Sequence, residues 1–375
     1  MSLVAILTDT HIGARKGVKY LQDHFENFYK NIFFPTIKER GVETILHLGD
    51  AFDSRKTIEY NSLNWARRVM FDPMKGYDVH MIVGNHDCYY KNTNDTNSPG
   101  LLLQHYDNIN TYTDPTEINV HGLDILMLPW ISPENEAQSL KMIRETDARI
   151  AMGHLELTGF YAYKGMEYKD GKLDNDIFNK FDKVLSGHFH TRSDDGRIHY
   201  IGNPYQMFWN DVNDNRGFIL LDTETLEIEY INNPYHLFDV IYYEDQSAAM
   251  LKAKQYAGKI VKVVVRKKTD QKKFDKFVEK LLTADTLDVK VVENFNVQES
   301  DDFVVDDAEE NTLSILNRYV DEAEFDDTPL EKEALKKLIS EVYQEACEVW
   351  VAILVISSLQ TQRIVCLFTP LTTVE

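Results

Sequence analysis

Five short apolar runs, each breaking off into a cluster of Asp, His, Asn and Gly, punctuate the chain up to His190. Leu3–Leu7 runs into Thr8-Asp9-Thr10-His11, Thr44–Leu48 into Gly49-Asp50, and Val79–Val83 into Gly84-Asn85-His86-Asp87. Arg149–Met152 then opens into Gly153-His154, and Lys183–Ser186 into Gly187-His188-Phe189-His190. Short runs rich in β-branched residues read as strands, and the amphipathic stretches between them, such as Val18 to Arg40 before Gly41, read as helices. This alternation predicts a layered α/β fold. In such sheets ligands sit beyond the carboxyl ends of strands, so five loops distant in sequence are expected to converge on one site.

The blocks offer a mixed set of carboxylate, amide and imidazole donors. Two cations about 3.5–4 Å apart make a nucleophile from water and neutralise the non-bridging oxygens of a phosphodiester. Ions that close need a shared ligand, ordinarily a carboxylate, and neutral imidazoles that keep the cluster cationic toward an anionic substrate. A lone DxH or GH is common by chance, but all five blocks in this order form a specific signal.

Over roughly residues 1–222 the blocks resemble those of the calcineurin-like metallophosphoesterases. More narrowly, Ile12-Gly13, Gly49-Asp50-Ala51-Phe52, Gly153-His154, and Tyr200-Ile201-Gly202-Asn203-Pro204 followed by Arg216-Gly217-Phe218 look like the SbcD-type nuclease subunit, in a phage-encoded form. The resemblance implies a metal-dependent DNA exonuclease and endonuclease of recombination and double-strand-break repair. Its implied partners are DNA and an SMC-like, Rad-type ATPase subunit of the SbcC kind, with a homodimer inside a heterotetramer. It implies that Asp9, His11, Asp50 and His190 hold one metal and that Asp50, Asn85, His154 and His188 hold a second, Asp50 bridging. His86 matches the non-ligand histidine that contacts the scissile phosphate and assists the leaving oxygen. Mn²⁺ is the implied ion, with Mg²⁺ or Fe²⁺ as alternatives. Many relatives carry a histidine three residues after the bridging aspartate, where this chain has Asp53; coordination, hydrogen bonding and no catalytic role all stay open for it.

The expected fold class is thus α/β: a layered metallophosphoesterase β-sandwich flanked by helices, with a small α+β capping domain and C-terminal helices. Residues 1–233 form the expected nuclease domain, closed by a β-hairpin over 217–230. Residues 234–296 read as strand, helix (246–256), strand, helix (271–282), strand. Residues 297–329 read as an acidic linker: between Glu299 and Leu330 twelve acidic residues face one basic residue, Arg318. Residues 330–348 have the apolar stripe of a partner-binding helix. The tail, 349–375, carries only Arg363 and Glu375 as charges, and its apolar run Val349–Ile356 is too short to span a bilayer.

Asp and Glu number 61 against 40 Lys and Arg, a net charge of −21 that repels DNA at long range. Bound cations cancel part of that charge where it matters. Candidate DNA contacts are Arg15 and Lys16, Arg55 and Lys56, and, in the second domain, Arg266, Lys267 and Lys268; a plain solvated face is the alternative. The three cysteines, Cys88, Cys347 and Cys366, lack metal-ligand spacing, and no secretory signal precedes the first strand, which fits the cytoplasm of a host cell. Of the other histidines, His47 and His80 sit in apolar strands and are expected to be hydrogen-bonded; His24, His105, His121, His199 and His236 read as surface or turn positions. Asp87 is expected to brace its loop.

Two other functions compete. A phosphomonoesterase or protein phosphatase uses the same metal pair, but such phosphatases read GDxVDRG and GNHE where this chain has Gly49-Asp50-Ala51-Phe52-Asp53-Ser54-Arg55 and Gly84-Asn85-His86-Asp87. A metal-dead scaffold would have lost several of the seven ligands, and all are present.

Overall fold

The computed structural model describes residues 2–169, 171 and 173–293. The expected acidic linker, partner-binding helix and apolar tail lie outside the described residues.

Alternation within the strands builds two facing sheets. In Leu3–Leu7, Val4 and Ile6 point one way and Ala5 and Leu7 the other, and all four are buried. The first sheet runs Ile228–Asn232, Gly217–Asp222, Leu3–Leu7, Thr44–His47, Asp78–Ile82, Ile109–Tyr112; its last four strands are parallel. The second runs Ser193–Asp194, Ile198–Tyr200, Lys183–Ser186, Ile150–Gly153, Leu123–Leu128, Thr116–Val120, with its middle four parallel. Between them Val4, Ile6, Leu46 and Ile82 meet Ile125, Met127, Ile150, Met152 and Leu185. Each fully buried aliphatic side chain there contributes about 1.5–3 kcal/mol before its entropy cost.

Helices cover the outer faces. Lys19–Phe28 continues through a π-helical turn, Tyr29–Phe33, into Phe34–Glu39. The widened turn falls just before Pro35, which has no N–H to donate. Gly41, at φ 65°, closes this helix, its N–H donating to the Lys38 carbonyl. Its buried stripe of Leu21, Phe25, Phe28, Phe33 and Ile37 packs on Ala5, Leu7 and Ile45. On the other side Ile143 of helix Glu136–Glu145, with Phe178 and Phe181, covers Leu126, Ala151 and Val184. The layered α/β sandwich expected from the sequence is therefore present, including its hairpin Gly217–Asp222/Ile228–Asn232.

After Asn233 the chain forms a third sheet of three parallel strands, Phe238–Glu244, Ile260–Lys267 and Asp288–Glu293. Helix Gln271–Leu282 lays Phe274, Phe277 and Leu281 on Val261, Val263 and Val265. Leu237, Phe238 and Ile260 belong to the first core, which ties this sheet to the sandwich. The helix expected over 246–256 is instead two 3-10 turns, Ala248–Met250 and Ala253–Tyr256. Of these turns Ala253 alone is buried, so no apolar face rewards the cost of helix nucleation. Among the described residues no helix is long and apolar enough to cross a membrane.

Candidate active site

The five polar blocks meet at the carboxyl ends of neighbouring parallel strands, three from the first sheet and two from the second. His188 N–H donates across the gap to Asp9 at 3.1–3.2 Å, and Gly187 N–H donates to the Gly153 carbonyl. Asp9 and His11 donate their N–H groups to the Gly49 and Asp50 carbonyls.

Three donor groups result among the described residues: His11 is shared with Asp53 and His86 in one of them, and the other two gather the expected ligands. Asp9, His11 and His190 form one, with the Nε2 atoms of His11 and His190 3.1 Å apart. Asp50, His154 and His188 form the other, and Asn85 joins it: its Oδ1 is 3.0 Å from both His154 Nε2 and His188 Nδ1. Asp50 Oδ2 stands between the groups, 3.2 Å from His154 Nε2 and 3.8 Å from His11 Nε2. His154 Nδ1 lies 2.7 Å from the Leu48 carbonyl. A carbonyl only accepts, so that nitrogen carries a proton and Nε2 is the atom turned to the cluster.

His86 stands beside both groups. Its backbone N–H donates to Asp50 Oδ1 at 2.8 Å, and its Nδ1–H donates to the Asp53 carbonyl at 2.7 Å, which leaves Nε2 as the working atom. Asp87 accepts from Gly84, Ala51 and Phe52 N–H groups at 2.9, 3.2 and 3.0 Å; it braces two of the loops, as its sequence context led us to expect.

The backbone is strained where it bears these groups. Asp9, His11, Asp50 and His188 have φ of 51°, 41°, 51° and 83°, a region costly for residues with a Cβ. Gly84 is required by contact: a Cβ there would lie 2.1 Å from Asp50 Oδ1.

Electrostatics add to the cost, because Asp9, Asp50 and His154 are almost wholly buried. Burial and the nearby Asp50 carboxylate raise Asp9 above its usual range, against the pull of His154. Burial pushes Asp50 up too, but His154 and His86 outweigh it and hold it well below the ordinary range. Burial depresses His154 and His11, yet Asp50 for the former and Asp53 with Asp50 for the latter prevail, raising each to about 9. His188 is held down to about 3 by burial and by His154, and His190 lies well below its ordinary value through burial and His11. A crowd of buried carboxylates and imidazoles packed this closely suits divalent cations, which would take the place of the imidazole protons, with imidazole nitrogen beside hard oxygen.

Residues 2–192 match the family model described as calcineurin-like phosphoesterase. The chain belongs to the calcineurin-like phosphoesterase family. This phosphoesterase is also 33% identical to exonuclease subunit 1 of Enterobacteria phage T4 over 347 residues, 91% of this chain and 98% of that protein. Dependence on divalent metal follows from the family, and the donor groups of this phosphoesterase are candidates to hold it.

Two neighbours of the site were given no role by sequence reasoning, although Arg216 stood in one of the quoted motifs. The Trp130 ring lies 5.4 Å from that of His188 and 6.3 Å from that of His154, walling the second donor group. Trp130 follows the parallel strand Leu123–Leu128, so the strand-end rule that found the histidines reaches it too. Buried Arg216 donates to the His190 carbonyl and Asn203 Oδ1, and pairs with Asp211 at 3.0 Å and Asp214 at 2.9 Å. It fixes the loop that carries His190.

The candidate DNA contacts differ among themselves. Arg15 stacks 5.6 Å from both Phe208 and Phe238, and Lys16, like Arg15, sits in left-handed backbone. Arg55 and Lys56 line a cavity whose wall also includes Asp87 and Tyr89. Arg266 pairs with Glu244 at 3.5 Å and Lys267 with Asp245 at 3.9 Å, while Lys268 lies 5.1 Å over Phe274. His47 bonds Thr10 and His80 bonds Tyr112, as expected. His24 and His199 are corrections: both are buried, His24 against Phe25 and Tyr205 and His199 within the second sheet.

Proposed function

We propose that this protein is a DNA nuclease that hydrolyses phosphodiester bonds with two divalent cations, one held by Asp9, His11, Asp50 and His190, the other by Asp50, Asn85, His154 and His188. The observation that carries this reading is the position of Asp50 Oδ2 between His11 Nε2 and His154 Nε2, within 3.8 Å of each. One carboxylate so placed is a shared ligand, the requirement of a close pair of ions. When bound, the cations supply an activated water and neutralise charge on the phosphate.

The chain's own side chains supply the rest. His86, oriented by the Asp53 carbonyl, presents Nε2 to the leaving oxygen and delivers a proton to it as the P–O bond breaks. Asp87 and Arg216 keep the loops in register. The mixed oxygen and nitrogen donors favour Mn²⁺ over Mg²⁺. The relative's designation as an exonuclease subunit supports DNA as substrate and an assembly with a further subunit. We take that subunit to be an SMC-like ATPase and the assembly to be a heterotetramer with two copies of this chain. In that arrangement residues 234–296 cap the nuclease domain, 1–233, and residues 330–348 engage the ATPase.

The test is purified protein with Mn²⁺ and linear DNA, beside Asn85→Ala and His86→Ala. We expect cleavage by the wild type and its loss in both variants. No cleavage at all, or three indistinguishable proteins, sinks the reading. Comparing p-nitrophenyl phosphate with its bis-ester separates this activity from a phosphomonoesterase.

A further inference from the structure

A cavity of about 180 Å³ lies between the loop that follows Phe52 and the segment from Asp87 to Leu102, the continuations of two of the loops that carry the site. Its walls include Phe52, Arg55, Lys56, Tyr89, Asn97 and Ser98, and two lining residues, Ser54 and Asp87, directly follow Asp53 and His86 in the chain. Ligand pockets for drug-sized molecules begin at about 300 Å³, so this one takes a fragment no larger than a single nucleotide.

Three features give the cavity its chemistry. Arg55 Nη1 is buried and has no hydrogen-bond partner among the described residues. A guanidinium nitrogen withdrawn from water in that way is a standing demand for an anion. Tyr89 and Tyr90 stay 41% and 52% exposed, their rings edge to face at 4.7 Å, and Lys56 Nζ lies 5.9 Å over Tyr89. Exposed aromatic rings beside cations are how nucleic-acid proteins hold unpaired bases. Tyr89 is also fixed: its N–H donates to the Thr96 carbonyl at 2.8 Å, and Cys88 bridges to Asn97. The acid in the wall, Asp87, accepts from three backbone N–H groups and the Ser98 hydroxyl and makes no ion pair with Arg55.

We infer that this cavity is a subsite for one unpaired nucleotide of the substrate strand, its base stacked on Tyr89 and its phosphate held by Arg55 and Lys56. The inference rests on the nuclease reading and deepens it: the preferred substrate is a single-stranded or frayed DNA end. A continuous duplex keeps its bases stacked and offers none to Tyr89.

The test compares wild type, Tyr89→Ala, Tyr89→Phe and Arg55→Ala on single-stranded DNA and on bis(p-nitrophenyl) phosphate, which is too small to span both places. For DNA we expect KM to rise about tenfold in Tyr89→Ala and in Arg55→Ala, the size of one lost stacking or phosphate contact. Tyr89→Phe, which keeps the ring, should stay near wild type. A strand with 2-aminopurine near its end, bound in EDTA, should be quenched by the wild type and Tyr89→Phe but not by Tyr89→Ala. Unchanged KM and quenching in Tyr89→Ala overturns the subsite, as does an equal loss on both substrates. Failure of the wild type to cleave even the bis-ester counts instead against the hydrolase reading beneath it.

Discussion

Asp53 Oδ1 lies 3.3 Å from Nδ1 of His11, while the carbonyl of the same residue accepts from Nδ1 of His86 at 2.7 Å. One residue therefore addresses the outward nitrogens of two histidines, and both Nε2 atoms are left for the site. Of the roles that the sequence left open for Asp53, these contacts support orientation; coordination stays open as well, because its carboxylate, His11 and His86 also bring ligand atoms within 4.8 Å of one another. Carboxylates behind metal-binding histidines typically govern 10–100-fold in affinity. Asp53→Ala should weaken Mn²⁺ binding by about tenfold or more in calorimetry, whereas Asp53→Asn, which keeps a side-chain oxygen for His11, should lose less. Equal affinity in all three proteins would remove Asp53 from the account.

Gly84→Ala tests the close approach of two loops. The new methyl would sit 2.1 Å from Asp50 Oδ1 and 2.4 Å from its backbone nitrogen, so the bridging carboxylate must move. Loss of Mn²⁺ binding is expected, together with destabilisation of about 1–3 kcal/mol from overpacking. Gly76→Ala meets nothing within 4 Å and serves as the silent comparison. Thermal melts and Mn²⁺ titrations of the pair check both halves.

Stability should depend strongly on metal. The folded protein confines Asp9 and Asp50 beside four imidazoles, an arrangement that cations relieve and the unfolded chain lacks. A ligand at 100 times its Kd adds about 2.7 kcal/mol. Mn²⁺ should raise the melting temperature of the wild type by several degrees, EDTA should reverse the gain, and Asp50→Asn should lose most of it. A melt indifferent to Mn²⁺ would contradict the proposed ligand set.

Glu26 gives a pH prediction away from the site. Arg68 holds it at 2.9–3.1 Å, Trp65 Nε1 donates to it at 3.1 Å, and Lys30 pairs with it, tying the long helix to Arg67–Phe71. Its hydrogen bond to Arg68, working against burial, lowers its pKa from 4.5 to about 2. A depressed carboxylate stabilises the fold above the unfolded value, and that stability is lost as pH falls from 4.5 through 2. Glu26→Gln should therefore cost about 1–2 kcal/mol at pH 7, allowing for partial solvent screening, and almost nothing at pH 2. Urea midpoints at the two pH values decide it.

What the sequence by itself determined was the sandwich and the meeting of its five polar blocks at neighbouring strand ends. Period-two alternation in Leu3–Leu7 and its counterparts sets which faces are buried, and each strand's end dictates where its polar block must lie. That logic is local, so it was legible in Asp9, His11, Asp50, Asn85, His86, His154, His188 and His190 without coordinates. It failed at 246–256, where helical composition had no apolar face to bury, and at His24 and His199, whose burial depends on packing partners far along the chain. Only the tertiary structure decided which donor faces which: Asp50 between two donor groups, Asp53 behind His11, Trp130 against His188, Arg216 beneath His190. Those are distances of a few ångströms between residues tens to hundreds of positions apart, set by how two sheets stack, and no local periodicity encodes them.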